Sequence, residues 1–149
     1  MKRIVIAAAG LLAASAHAHI TLEQKSATAG SYQKLTFRVG HGCGGSATRE
    51  ITVTLPEGVK GAKPMPKQGW QIQTTPTSVT WSGGPLPDEY YDEFVMQVKL
   101  PAEAGTRYFK VMQACVKGSA AWDETTPGGK NPAPALEIQP AAAGEHAHH

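Results

Sequence analysis

Apolar and polar residues alternate with a period of two along most of this chain. His19-Ile-Thr-Leu-Glu23 alternates in this way, as do Tyr32-Gln-Lys-Leu-Thr-Phe-Arg-Val39 and Ile51-Thr-Val-Thr-Leu55. Trp70-Gln-Ile-Gln-Thr74, Ser78-Val-Thr-Trp81, Phe94-Val-Met-Gln-Val-Lys-Leu100 and a long run from Tyr108 to Val116 follow. A strand sends successive side chains to opposite faces, so each run predicts a strand with one face turned inward. β-branched and aromatic residues fill the runs, and Gly, Pro, Ser, Asn and Asp separate them. The 11 prolines and 16 glycines argue further against a helical domain. Short strands at this density predict an all-β, antiparallel, immunoglobulin-like β-sandwich. Two hairpins are expected. His19–Glu23 should turn back on Tyr32–Val39 around Thr28-Ala29-Gly30, setting His19 opposite Gly40 and beside His41. Phe94–Leu100 should pair with Tyr108–Val116 around Ala104-Gly105, bringing Cys115 near Asp92.

The first eighteen residues follow a different pattern. Lys2 and Arg3 precede an apolar stretch, Ile4 to Ala14, and the small-residue triplet Ala16-His17-Ala18 closes the segment. A basic head, a short apolar middle and an A-x-A site describe a secretory signal. The stretch is too short for a membrane span, which needs about 20 apolar residues. Residues 1–18 are therefore expected to be removed, 19–140 to form one domain, and 141–149 to be a disordered tail. Cleavage after Ala18 makes His19 the first residue. Ala14-Ser-Ala16 offers another cut, leaving His17-Ala18-His19. Loss of Lys2 and Arg3 brings 14 basic residues down to 12, against 12 acidic ones. A neutral chain without a basic stripe gives no electrostatic hold on nucleic acid.

The two cysteines agree with export. Only one disulfide is possible, Cys43 with Cys115, and an oxidising compartment such as the periplasm favours it. A pair of copper-binding thiolates is the alternative. Histidine is distributed unevenly: six residues, none of them between His41 and His146. His146, His148 and His149 could recruit metal weakly or be a tag remnant. His19 offers more. At a free amino terminus, one residue supplies an amine and an imidazole together. The amine titrates near pH 7.7–8.0 in ordinary peptides, so a strongly binding ion displaces its proton readily. Nitrogen donors in a tetragonal set favour Cu(II). The loop Gly40-His-Gly-Cys-Gly-Gly-Ser46 lacks the Lys-Ser/Thr ending of a phosphate loop, and His41 within it is a candidate second ligand. Asp92, Glu93, Asp123 and Glu50 are candidate carboxylates near the same pole, with Trp122 beside them. No nucleophile elbow occurs, and no histidine remains to activate a serine.

These residues together resemble the exported YcnI-like family. The resemblance rests on His19-Ile-Thr-Leu, Gly40-His-Gly-Cys43, Leu55-Pro-Glu-Gly and Lys63-Pro-Met-Pro-Lys-Gln-Gly-Trp70. It extends through Trp81-Ser-Gly-Gly-Pro-Leu-Pro-Asp-Glu-Tyr-Tyr-Asp-Glu-Phe94 and Val111-Met-Gln-Ala-Cys115 to Trp122. It implies an immunoglobulin- or fibronectin-like sandwich holding Cu(II) through a single-histidine brace at the mature amino terminus. His19 matches the brace histidine, and Trp122 the tryptophan near it. A carboxylate ligand of Bacillus-type members has no clean match: the loop reads His-Gly-Cys, so His41 takes that place, with Glu50 as the next choice. The implied role is copper trafficking or homeostasis in the periplasm, without catalysis. The implied partners are a periplasmic copper chaperone or a copper-importing membrane protein. An oxidative copper enzyme and a plain partner-binding sandwich are the competing expectations.

Overall fold

The structure, a computed structural model, describes residues 19–142. The expected leader and the tail histidines His146, His148 and His149 lie outside the described residues. Twelve strands and no helix occur among those described: β1 Thr21–Leu22, β2 Ser26–Thr28, β3 Tyr32–Val39, β4 Thr48–Thr54, β5 Lys60–Pro64, β6 Trp70–Thr75, β7 Ser78–Leu86, β8 Asp92–Lys99, β9 Gly105–Tyr108, β10 Lys110–Cys115, β11 Ser119–Trp122 and β12 Ala135–Gln139. They form a four-stranded sheet, β1-β3-β8-β5, and a five-stranded sheet, β11-β10-β4-β7-β6. A third, three-stranded sheet has the order β2-β12-β9. The fold is all-β and immunoglobulin-like, as the alternation predicts.

The alternating residues fill the space between the two larger sheets. Leu35, Phe37 and Val39 of β3 and Phe94, Met96 and Val98 of β8 are buried, as are Ile51 and Val53 of β4 and Val79 and Trp81 of β7. Trp81 of one sheet meets Phe94 of the other with ring centroids 5.5 Å apart, and Trp70 packs edge-on against Phe94 at 5.0 Å. Each fully buried side chain of this kind stabilises the fold by about 1.5–3 kcal/mol. The Cys43–Cys115 disulfide is present, and no described cysteine is free. It joins the loop after β3 to the end of β10.

The first expected register holds: Thr21 lies opposite Arg38 and Leu22 opposite Phe37. Continued by two residues, it brings His19 level with Gly40. The connection is not a tight hairpin, however, because β2 leaves this sheet and runs parallel to β12. The second expected hairpin does not form. β8 pairs with β3 and β5, whereas β10 pairs with β4 and β11. The reason is burial. Phe94, Met96 and Val98 on β8 and Val111, Gln113 and Cys115 on β10 are all buried. Facing sheets cover both sets, and β9 carries the chain across by pairing with β12. Asp92 still reaches the His41 end, through its place opposite Val39 rather than through Cys115. The segment after Pro134, where the residue pattern assigned no strand, contains β12, whose Leu136 and Ile138 are buried.

Candidate metal centre

The site forms where β1, the β3–β4 loop and β11 meet. β1 is held in register by β3, so the chain preceding it delivers His19 to the end of the sandwich. β11 pairs with β10, placing Trp122 opposite Val111. Trp122 is buried at 5% exposure, and both candidate histidines meet its ring. The His19 imidazole lies 5.8 Å from it and the His41 imidazole 6.3 Å, centroid to centroid. Three residues separated widely in the chain, His19, His41 and Trp122, are thus brought together.

The loop carrying His41 is held at several points along its backbone. The His41 carbonyl accepts a 2.8 Å hydrogen bond from the Gln113 side-chain amide. The Gly42 N–H donates to the Asp88 carboxylate at 2.8 Å. Cys43 and Ser46 exchange backbone hydrogen bonds of 3.0 Å, and the disulfide anchors Cys43. The His41 ring contacts the Gly42 carbonyl through Nδ1. A carbonyl oxygen only accepts, so Nδ1 carries the proton, and in the neutral ring the lone pair is on Nε2. Metal-binding histidines are oriented in this way, with one ring nitrogen tied to a carbonyl and the other left to the ion.

Gln113 is the residue behind His41 and Trp122 that sequence reasoning passed over. It is fully buried, donates also to the Thr48 hydroxyl at 2.8 Å, and accepts from the Trp122 indole N–H at 3.0 Å. Its signal lay in the run from Val111 to Cys115, where an amide takes an inward-facing position between apolar neighbours. Asp88, which lies within the Trp81–Phe94 stretch and was given no role there, is the second omission.

The carboxylates are placed less favourably. Glu50 accepts from the Ser82 hydroxyl at 2.9 Å, on the face of its sheet where Thr52 bonds to Thr80, away from Gln113. Asp92 pairs with Lys67 at 2.7 Å, and Glu93 lies opposite Arg38 on β3. Asp123 follows Trp122 and is exposed. Among the described residues, no three His, Cys, Asp or Glu side chains gather as a metal site. Two open hollows lie at this end, and only the first is lined by Trp122. One, of about 400 Å³, is lined by His41, Trp122, Lys117 and Asn131 among others. The other, of about 380 Å³, contains His19, Tyr108 and Glu124.

Comparisons with known proteins bear on the family and the fold. The model of the DUF1775 family, described as a domain of unknown function, matches residues 19–78 and 71–138. An uncharacterised protein from Nocardia farcinica with an immunoglobulin-like fold superposes with a TM-score of 0.71 at 29% identity, covering 80% of this chain and 97% of that one. The Reelin-N domain of F-spondin matches at TM-score 0.54 and 15% identity, covering 81% and 85% of the two chains. The seventh type I cohesin of ScaB from Pseudobacteroides cellulosolvens matches at 0.51 and 10%, covering 88% and 97%. The last two show likeness of fold alone. No curated protein sequence matches the chain.

Proposed function

The chain belongs to the DUF1775 family, and we propose that this member is an exported protein that holds Cu(II) at its mature amino terminus. The observation that carries the reading is the meeting of His19 and His41 on the buried Trp122 ring. Cleavage after Ala18 gives His19 an α-amine beside its imidazole, and the family match opens on this same residue. His41 contributes Nε2, the nitrogen that its Nδ1 contact with the Gly42 carbonyl leaves to the ion. Amine and imidazole nitrogens form a donor set suited to Cu(II). The disulfide accords with an oxidising compartment, here the periplasm.

Copper is cargo in this reading, and the protein buffers or delivers it without catalysis. The receiving partner is a periplasmic copper chaperone or a copper-importing membrane protein. Intact-mass spectrometry of the secreted protein, with and without Cu(II), tests the reading. The expected result is a chain starting at His19 that gains one copper ion. A variant extended by one glycine before His19 should lose most of its affinity. Equal binding by the extended variant would falsify the amine's role.

A further inference from the structure

We infer that Gln113 is the positioning residue of this copper site: from the interior it fixes the Trp122 indole and the His41 backbone, and so holds the ring that both the His19 and His41 imidazoles meet. The inference rests on the copper reading above and concerns how the site is held in shape before the ion arrives. Gln113 itself is fully buried, behind the two groups it holds.

The chemistry of the partners fixes the orientation of the amide. The Trp122 indole nitrogen is a donor only, so it must face the carbonyl oxygen Oε1, which it meets at 3.0 Å. The His41 carbonyl accepts only, so it must face the amide nitrogen Nε2, which it meets at 2.8 Å. Thr48 takes the second amide hydrogen through its hydroxyl, also at 2.8 Å. Turning the amide over would break the bonds to Trp122 and His41 together. One side chain therefore ties a ring of β11 to the backbone of the β3–β4 loop, and Thr48 of β4 locks it. Thr36, Thr48 and Gln113 are the buried polar side chains among the described residues, and two of the three belong to this network. A buried amide is costly unless fully hydrogen-bonded, and an apolar residue would fill the same inward position without that demand. The amide stands where the two elements that carry Trp122 and His41 converge.

Groups that orient metal ligands from behind typically change metal affinity by about 10–100-fold when removed. The test uses the mature chain beginning at His19, as wild type, Gln113→Met and Gln113→Glu. Methionine keeps the length and removes both donor and acceptor. Glutamate keeps an acceptor for Trp122 and removes the donor to His41. Measurements are the Cu(II) dissociation constant by chelator competition, the frozen-solution EPR spectrum of the copper-loaded protein, and the apo melting midpoint. Gln113→Met is expected to weaken Cu(II) binding about 10–100-fold and to alter the EPR hyperfine pattern. Gln113→Glu should fall between it and wild type, since one of the two ties survives.

Wild-type affinity and an unchanged EPR spectrum in folded Gln113→Met would overturn the inference and leave the copper reading standing. If wild type takes up no Cu(II), the copper reading falls, and this inference with it. If neither variant folds, amide and indole hydrogen exchange in the wild-type apo protein decides. Slow exchange of the Gln113 amide and the Trp122 indole N–H supports the tie, and exchange at free rates overturns it.

Discussion

Gly42→Ala probes the β3–β4 loop at its tightest point. A Cβ placed on Gly42 would lie 1.7 Å from the Ser46 carbonyl oxygen and 2.8 Å from the Ser46 carbonyl carbon. Both are backbone atoms, so no rotamer change relieves the clash. Ser46 cannot retreat freely either, since its carbonyl accepts from Cys43 and its hydroxyl from the Lys117 N–H. Forcing one methyl into a packed site costs about 1–3 kcal/mol. Shifting Gly42 also stretches its hydrogen bond to the Asp88 carboxylate, and bonds to charged groups contribute about 1.5–3 kcal/mol. The combined loss is roughly 2.5–6 kcal/mol, or a fall in melting midpoint of about 10 °C or more for a domain of this size. Thermal unfolding by circular dichroism, under oxidising conditions, measures it. Gly44→Ala is the matched control. Its backbone φ is +53°, but nothing lies within 4 Å of the added carbon, so only conformational strain of roughly 1 kcal/mol applies. Equal, small shifts in both variants would refute the claim that contact with Ser46 fixes this loop.

Three further outcomes follow from the same geometry. Replacing Cys43 and Cys115 by serine removes a link spanning 72 residues, and the melting midpoint should drop by the equivalent of about 4 kcal/mol, matched in wild type by adding reductant. Phe94→Ala empties the space between Trp70 and Trp81 and should cost roughly 3–5 kcal/mol in guanidinium unfolding, with m unchanged. Glu50→Gln should leave the Cu(II) dissociation constant within about twofold of wild type, because a carboxylate bonded to Ser82 lies away from the His41 loop. A larger loss in a competition titration would return Glu50 to the ligand set.

Local physics made some features legible and hid others. Period-two burial is a property of each strand alone, so β3, β4, β8 and β10 are visible in the residue pattern, and so is the register that brings His19 to Gly40. Which strand pairs with which depends on the sheet that finally covers each apolar face. Proximity in sequence therefore misassigns β8 to β10. β12 was overlooked because glycine and proline dominate the stretch before it, although Ala135-Leu-Glu-Ile-Gln139 alternates plainly. His19 and His41 announced themselves by residue type. Gln113 did not, because glutamine is common on exposed strand faces and only its inward parity marks it.

The parallel pairing of β2 with β12 has a consequence for the order of events in folding. β2 lies close to the amino end of the domain, yet its partner is the last of the described strands in chain order. A chain emerging amino terminus first holds β2 without a neighbour until almost the whole domain has appeared. Non-local strand pairing of this kind folds slowly and leaves intermediates with open edges. Completion of the fold is therefore a late step, set by release of the carboxyl-terminal segment. A chain arrested before Ala135 would lack the strand on which β2 and β9 both close.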